Sequence, residues 1–357
     1  MKTKPKVAIL KTTPETVVQD YGKLMKMAEY EKFMPKNKET IIKLNLSWSL
    51  YYPACSTEPW QLDGVLKQLQ KDKYKNIHAV ENKTVVTKPW KGAHGNKWIP
   101  VLDKYGLNFE PLTETEWVDY KPKHEMLAFN NIFTEGHKIP KIFLGKNVVH
   151  LPTIKTHGHT TMTGAMKNAF GGLITERRHH CHKMIHEVLV DLLQIQKEIH
   201  PGIFAAMDGT VCGDGAGPRT MLPKIKNYII ASADQVAIDA ISAKMMGYDP
   251  LKIKFIKLAH DRGLGCGDVS QIDIVGEDIS QENFHFTTSK SPVVAGDQLF
   301  RKGAFRFLEP LLFHTPLFKM CIFASGFYHD KLWYPTIGRI HTRKFMKTEW
   351  GQLFKKY

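Results

Sequence analysis

Thr40-Ile-Ile-Lys-Leu-Asn-Leu46 decides the fold of this 357-residue chain. It is short, apolar and β-branched, as expected of a strand buried on both faces of a parallel sheet. A helical segment near Trp60–Gln70 and a strand at Ile77–Val80 follow it, giving a strand–helix–strand unit. The alternation extends outward in both directions. Upstream, Val7–Leu10 reads as a strand and Glu15–Tyr30 as a helix. Downstream, strands are predicted at Lys141–Leu144, Asn147–Leu151, Ile203–Met207, Tyr228–Ala231 and Ile272–Val275. Helices are predicted at Met162–Phe170, Lys183–Ile199, Asp234–Met246 and Pro250–Asp261. The expected fold is α/β, a mainly parallel sheet with helices on both faces, occupying residues 1–285. Residues 82–137, rich in Lys, Gly, Pro and Trp, read as an insertion over the sheet. Residues 286–357 read as a basic, aromatic C-terminal extension.

Charge narrows the partner classes. The formal net charge of +15 is split into +9 over residues 1–100, −1 over 101–295 and +7 over 296–357. The first hundred residues contain no Arg, the side chain suited to bidentate base readout, and no helix-turn-helix, zinc-finger or RNP signature occurs. Sequence-specific nucleic-acid binding is therefore not expected, whereas a small anion or a lipid surface is. Five cysteines without a CxxC pair exclude a disulfide scaffold and leave no iron–sulfur motif in this chain. No stretch reaches about 18 uninterrupted apolar residues and no signal-peptide core is legible, so a cytoplasmic protein is expected.

The densest chemistry lies in Val148–Gly172. A strand ends at Leu151, a polar loop carries Lys155, Thr156, His157 and His159, and a short helix follows. At 100° per residue Thr160, Thr163 and Lys167 share a helix face. Lys155, Thr163, Lys167 and Asn168 could converge with backbone N–H groups at the helix start on a phosphate or carboxylate. A capped surface helix with a solvated Lys is the alternative. Lys43 and Asn45 point to one side of their strand by the two-residue repeat, and a buried Lys43 would need an anionic partner.

Seven histidines fall in residues 150–186. His179, His182 and His186 share a helix face if the helix begins by Arg178. His182 and His186 are spaced to ligate a divalent metal, although no HExxH occurs and structural histidines are the simpler reading. Met207–Pro218 reads as a strand end at Asp208-Gly209 followed by a glycine-rich loop, with Asp208 and Asp214 as candidate acid–base or metal groups beside His157. Gly215 and Gly217 there would let backbone approach a ligand closely. The spacing is neither GxGxxG nor a Walker loop. Asp239, mid-helix beside Gln235 and Ser242, reads as part of a surface face.

In this order, several blocks resemble the bacterial and archaeal family catalogued as domain of unknown function 362. They are Lys43-Leu-Asn45, Thr57-Glu-Pro59, Leu151-Pro-Thr-Ile-Lys155-Thr-His157 and Met162-Thr-Gly-Ala-Met-Lys167-Asn168-Ala-Phe-Gly171. Asp208-Gly209 with Gly215-Ala-Gly217-Pro218, Ala231-Ser-Ala-Asp234-Gln-Val-Ala-Ile-Asp239 and Gly263-Leu-Gly265 complete the match over roughly residues 6–280. The family is defined by sequence rather than by a reaction. Many relatives carry an appended ferredoxin-like module, which implies redox chemistry for part of the family. This chain lacks the Cys-rich motif, so redox chemistry here would need an external ferredoxin-type partner or a bound cofactor.

Residues 296–357 interleave 14 aromatics with 11 Lys+Arg. Pro310, Pro316 and Lys319 interrupt Leu308–Tyr328, so the segment suits an anionic membrane interface better than a span, if it does not simply pack on the core. Three readings follow. The chain is an enzyme with an electropositive pocket for an anionic small molecule or lipid headgroup, a metal- or iron–sulfur-linked redox protein, or a non-catalytic adaptor. A cytoplasmic protein, peripheral at the membrane through its extension, fits all three.

Overall fold

The computed structural model describes residues 4–84, 86–174, 178–301, 303–313 and 315–357. Its strands are β1 (Lys6–Lys11), β2 (Thr40–Lys43), β3 (Ile77–Glu81), β4 (Phe109–Pro111), β5 (Trp117–Tyr120), β6 (His137–Pro140), β7 (Asn147–His150), β8 (Thr153–His157), β9 (Thr161–Met162), β10 (Ile203–Ala216), β11 (Thr220–Ser232) and β12 (Asp273–Gly276). Among the described residues ten of them form one sheet, in the order β12-β1-β11-β10-β7-β2-β3-β4, with β8 on β10 and β9 on β8. β4, β3, β2, β7 and β10 are parallel, β11 is antiparallel to both neighbours, and β12 is parallel to β1. β5 and β6 make a separate antiparallel pair. The expected α/β class, with a mainly parallel sheet, is the observed one.

Helices cover both faces. One core gathers α6 (Ala165–Leu173), α7 (Ile185–Ile199), α8 (Gln235–Met246) and α9 (Lys254–Asp261). The other gathers α1 (Val17–Met27), α2 (Pro59–Lys71), α3 (Pro89–Gly95) and α4 (Trp98–Lys104). α5 (Phe129–Ile132) sits with the first core through Phe129. The two-residue repeat of β2 assigns Ile41 to the first core and Ile42 to the second, which is why the strand reads as continuously apolar.

Two expectations change. Asp208–Ala216 is not a glycine-rich loop: β10 runs through it and pairs with β11 as a long hairpin, with a bulge between Gly209 and Val211. Lys141–Phe143 is a single 3₁₀ turn rather than a strand. Within residues 82–137, β4 adds an edge strand to the main sheet beside β3.

The extension comprises α10 (Pro292–Arg301), α11 (Glu309–Phe313), α12 (Phe318–Phe327), a π-helical stretch at Tyr328–Gly338, α13 (Arg339–Phe345) and α14 (Glu349–Lys356). Its last third packs on the second core: Trp350 lies 5.1 Å from Trp60, and Phe354 stacks on Tyr51 at 3.7 Å. Its first two thirds roof a cavity.

Candidate functional site

The cavity, about 630 Å³, opens at the carboxyl ends of β2, β3 and β8. Lys43, Glu81 and His157 are the last residues of those strands. This is where parallel sheets place ligands, because the loops leaving the strands diverge there. The floor is completed by Asn45, His159, Lys167, Asn168, Arg178, Gly217 and Arg219. The roof comes from the extension: Asp297, Phe300 and Arg301 of α10, Phe313 of α11, and Phe318, Cys321 and Ile322 of α12. Most of the cationic groups thus lie in the floor and most of the aromatic rings in the roof, which also carries Arg301 and Asp297.

Lys43 is fully buried, and its Nζ lies 2.8 Å from Glu81 Oε1 and 2.6 Å from the Leu44 carbonyl. Burial pulls its pKa down, and the Glu81 charge opposes that. Glu81 is thus the anionic partner that a buried lysine needs, supplied by the neighbouring parallel strand. Asn168 donates to the Lys43 carbonyl at 2.9 Å, and Asn45 donates to Asn168 Oδ1 at 3.3 Å. Lys155 stands behind Asn45, giving hydrogen bonds to Asn45 Oδ1 (3.1 Å) and Thr153 Oγ1 (2.5 Å). Burial lowers its pKa to about 8, although it does not line the cavity.

Lys167 differs from both. It projects from α6 into the cavity with the Phe170 ring 5.8 Å away and, among the described residues, has neither a hydrogen bond nor an ion pair. Burial, then the charges of Lys155 and Arg178, pull its pKa down to about 7. Arg178 spends its guanidinium on the carbonyls of Ile174, Lys83, Phe170 and Gly171, so it is a fixed charge rather than a free ligand. Arg219 anchors its Nε on the Ser47 carbonyl at 2.9 Å. Arg301 pairs through Nε with Asp297 at 2.9 and 3.1 Å and lies 3.8 Å over the Phe313 ring. Its two terminal nitrogens are buried without a hydrogen bond. Among the described residues, the lining groups number five cationic side chains against the carboxylates of Glu81 and Asp297, each of which already serves one cation.

The histidines divide. His157 is buried, accepts at Nδ1 from the His159 N–H (3.2 Å), and is held well below its usual pKa by burial and the Lys167 charge. His182 stacks on His159 at 4.9 Å. His159 Nε2 and His182 Nδ1 lie 3.8 and 4.0 Å from Asp297 Oδ2. Those three groups could share one cation. His186 does not join them, because a 3₁₀ segment at His180–Met184 precedes α7 and alters the angular spacing. It stacks on Phe255 of α9 instead.

Other sequence candidates lie elsewhere. Asp208 is fully buried on the opposite face of the sheet, the alternation of β10 having placed Met207 toward the cavity-side core. It accepts from Tyr21 Oη (2.9 Å), Trp60 Nε1 (3.0 Å), Thr210 Oγ1 (2.8 Å) and Thr210 N (3.1 Å). Burial raises its pKa to about 6 against those donors. Asp214 accepts from the Thr287 N–H at 2.9 Å and does not line the cavity. Thr163 precedes α6 and donates to the Thr153 and Lys155 carbonyls. Gly215 accepts from Thr156 Oγ1 at 2.9 Å. Gly217 does line the cavity, but the close approach requiring glycine is to the Thr156 carbonyl, 1.8 Å from where a Cβ would sit.

The start of α6 is not open to an anion either. Asp239, fully buried rather than on a surface face, receives the Ala165 and Met166 N–H groups at 2.6 and 3.1 Å. A Cβ at Gly164 would fall 2.2 Å from Asp239 Oδ1, so glycine there makes room for the carboxylate. The anion reading thus moves from the helix end to the Lys167 side chain.

Glu81, Arg178, Arg219, Asp297 and Arg301 were missed in the sequence. Glu81 had a signal, being a carboxylate ending a buried strand beside the Lys43 strand. Asp297 and Arg301 had only an i, i+4 spacing in a segment set apart as an extension.

An α/β protein with a cavity lined by cationic and aromatic side chains at its strand ends is the class defined by this geometry. The family described as domain of unknown function 362 matches residues 40–244, and the chain belongs to it. The floor residues from Lys43 to Arg219 fall inside that match, whereas the roof from α10 onward falls outside it. A thylakoid-associated protein of Synechocystis sp. is 28% identical over 177 residues, covering 48% of this chain. The chain spans about half the length of that curated relative, 52% of which is aligned. No solved structure matches the chain.

Proposed function

We propose that the cavity binds a small amphiphile through its anionic head, a phosphate or carboxylate. The head is held at the floor by Lys167, with the Arg178 charge beside it. The tail lies among Phe300, Phe313, Phe318 and Ile322. The observation that carries this reading is Lys167, a part-buried amine in the cavity with no counter-ion among the described residues. An anionic head would supply the missing partner, and a charge-assisted contact of that kind contributes about 1.5–3 kcal/mol.

Thermal unfolding of wild type and Lys167→Gln with inorganic phosphate and with octyl phosphate tests it. Octyl phosphate stabilises the wild type at lower concentration than phosphate does, and the variant loses most of both effects. Equal shifts in the two proteins defeat the reading.

A second reading rests on His159, His182 and Asp297, whose donor set suits a divalent metal such as Zn²⁺. Arg301 already holds Asp297, and burial followed by the charges of His159, Arg301 and Lys167 lowers the His182 pKa, so this environment favours an anion over a cation. Stoichiometric metal in purified protein, lost on His182→Ala, would reverse that preference.

No described helix is long and apolar enough to cross a membrane. A position at a membrane surface agrees with the thylakoid association named for the Synechocystis relative.

A further inference from the structure

α12 is apolar around most of its circumference, with Lys319 and Ser325 as its polar residues. One side lines the cavity through Phe318, Cys321 and Ile322. The opposite side carries Met320, Phe323 and Phe327, spaced i, i+3 and i+7. These point outward, with Met320 67% and Phe323 74% exposed, and the Phe323 and Phe327 rings stack at 6.2 Å. Phe307, 71% exposed, precedes α11 in the same extension. A single helix layer therefore separates the cavity from an apolar outer surface.

Charge says what covers that surface. Arg306, Lys319, Lys331, Arg339, Arg343 and Lys344 are exposed along the same stretch and, among the described residues, make no ion pair. Carboxylates are scarce there: Glu309 is turned toward Arg301 and Lys183, and Asp330 accepts from Trp48 Nε1. Aromatic and aliphatic side chains flanked by unpaired Lys and Arg complement the interface of an anionic bilayer, where rings enter the headgroup boundary and cations meet phosphates. A protein partner would have to match both the apolar stripe and six unpaired cations. Arg306–Phe313 and Phe318–Phe345 together reach spanning length and composition, but they are bent by 92°. Neither piece alone is a span, and a bend of that size suits a segment lying along an interface.

We propose that the extension docks on an anionic membrane interface through Phe307, Met320, Phe323 and Phe327, and that the amphiphile of the cavity is a lipid drawn from that leaflet. The second half rests on the pocket reading given above; the docking surface does not.

Co-sedimentation of the full chain with vesicles separates the two. Wild type pellets with vesicles of equal parts phosphatidylcholine and phosphatidylglycerol, and pellets less with added salt or with phosphatidylcholine alone. Met320→Ser/Phe323→Ser, at exposed positions that leave the core intact, partitions at least tenfold more weakly yet still binds octyl phosphate in solution. Lys167→Gln keeps vesicle binding and loses octyl phosphate. Wild type remaining in the supernatant with both vesicle types overturns the docking surface and leaves the pocket standing. A stable dimer in solution that Met320→Ser/Phe323→Ser dissociates assigns the stripe to a second copy of this chain and overturns it as well. Vesicle binding without octyl phosphate binding by wild type defeats the pocket and leaves the surface.

Discussion

The Asp239 carboxylate of α8 caps α6 through Ala165, 2.6 Å from its N–H, and through Met166 at 3.1 Å. This contact ties two helices of one core together and closes the position at which a sequence reader would seat an anion. Asp239→Ala leaves two buried N–H groups without an acceptor, a loss of about 1–3 kcal/mol for each. Urea unfolding should show that loss, with octyl phosphate affinity of the folded protein little changed. A large fall in affinity at unchanged stability would instead place Asp239 in the site.

Lys43 and Glu81 form the buried ion pair of the cavity floor. Removing one partner strands the other charge, so Lys43→Met should cost about 3–5 kcal/mol. Lys43→Met/Glu81→Gln should recover much of it. A double variant as unstable as the two single losses combined would show that the residues are not coupled.

Asp208 is a core group in this account. Its folded pKa of about 6 lies above the ordinary 3.8, so its favourable contribution is complete below about pH 4 and is lost as pH rises through 6. Asp208→Asn should therefore destabilise most at pH 4 and less at pH 8, the difference approaching roughly 3 kcal/mol. Octyl phosphate affinity should be unaltered. A penalty that grows with pH would contradict this placement.

The sheet was legible because Ile41, Ile42 and Val80 are apolar on alternate faces, and only a doubly covered parallel strand needs that pattern. The β10–β11 hairpin was not, because Gly209, Gly213 and Gly215 mimic a loop, although the first two serve close contacts within the sheet and Gly215 a positive φ. Lys43, Asn45, His157, Lys167, Asn168, Gly217 and His182 do meet at one cavity. The two-residue repeat that brought Lys43 and Asn45 there also carried Asp208 to the other face. The roof was illegible for a different reason: Asp297, Arg301 and Phe313 are far from the floor in sequence, and their convergence depends on how the extension folds back.

Lys167 carries the central claim, and its proton reports on it. With a folded pKa of about 7, the amine is partly neutral at slightly alkaline pH. An anionic head favours the charged form and raises that pKa, so binding takes up a proton and weakens as pH rises. Calorimetric titration with octyl phosphate near pH 7.5, in two buffers of different ionisation enthalpy, measures both affinity and proton uptake. The account predicts net uptake by wild type, and for Lys167→Gln little uptake with about tenfold or greater loss of affinity. Equal affinity and equal proton uptake in the two proteins would contradict it.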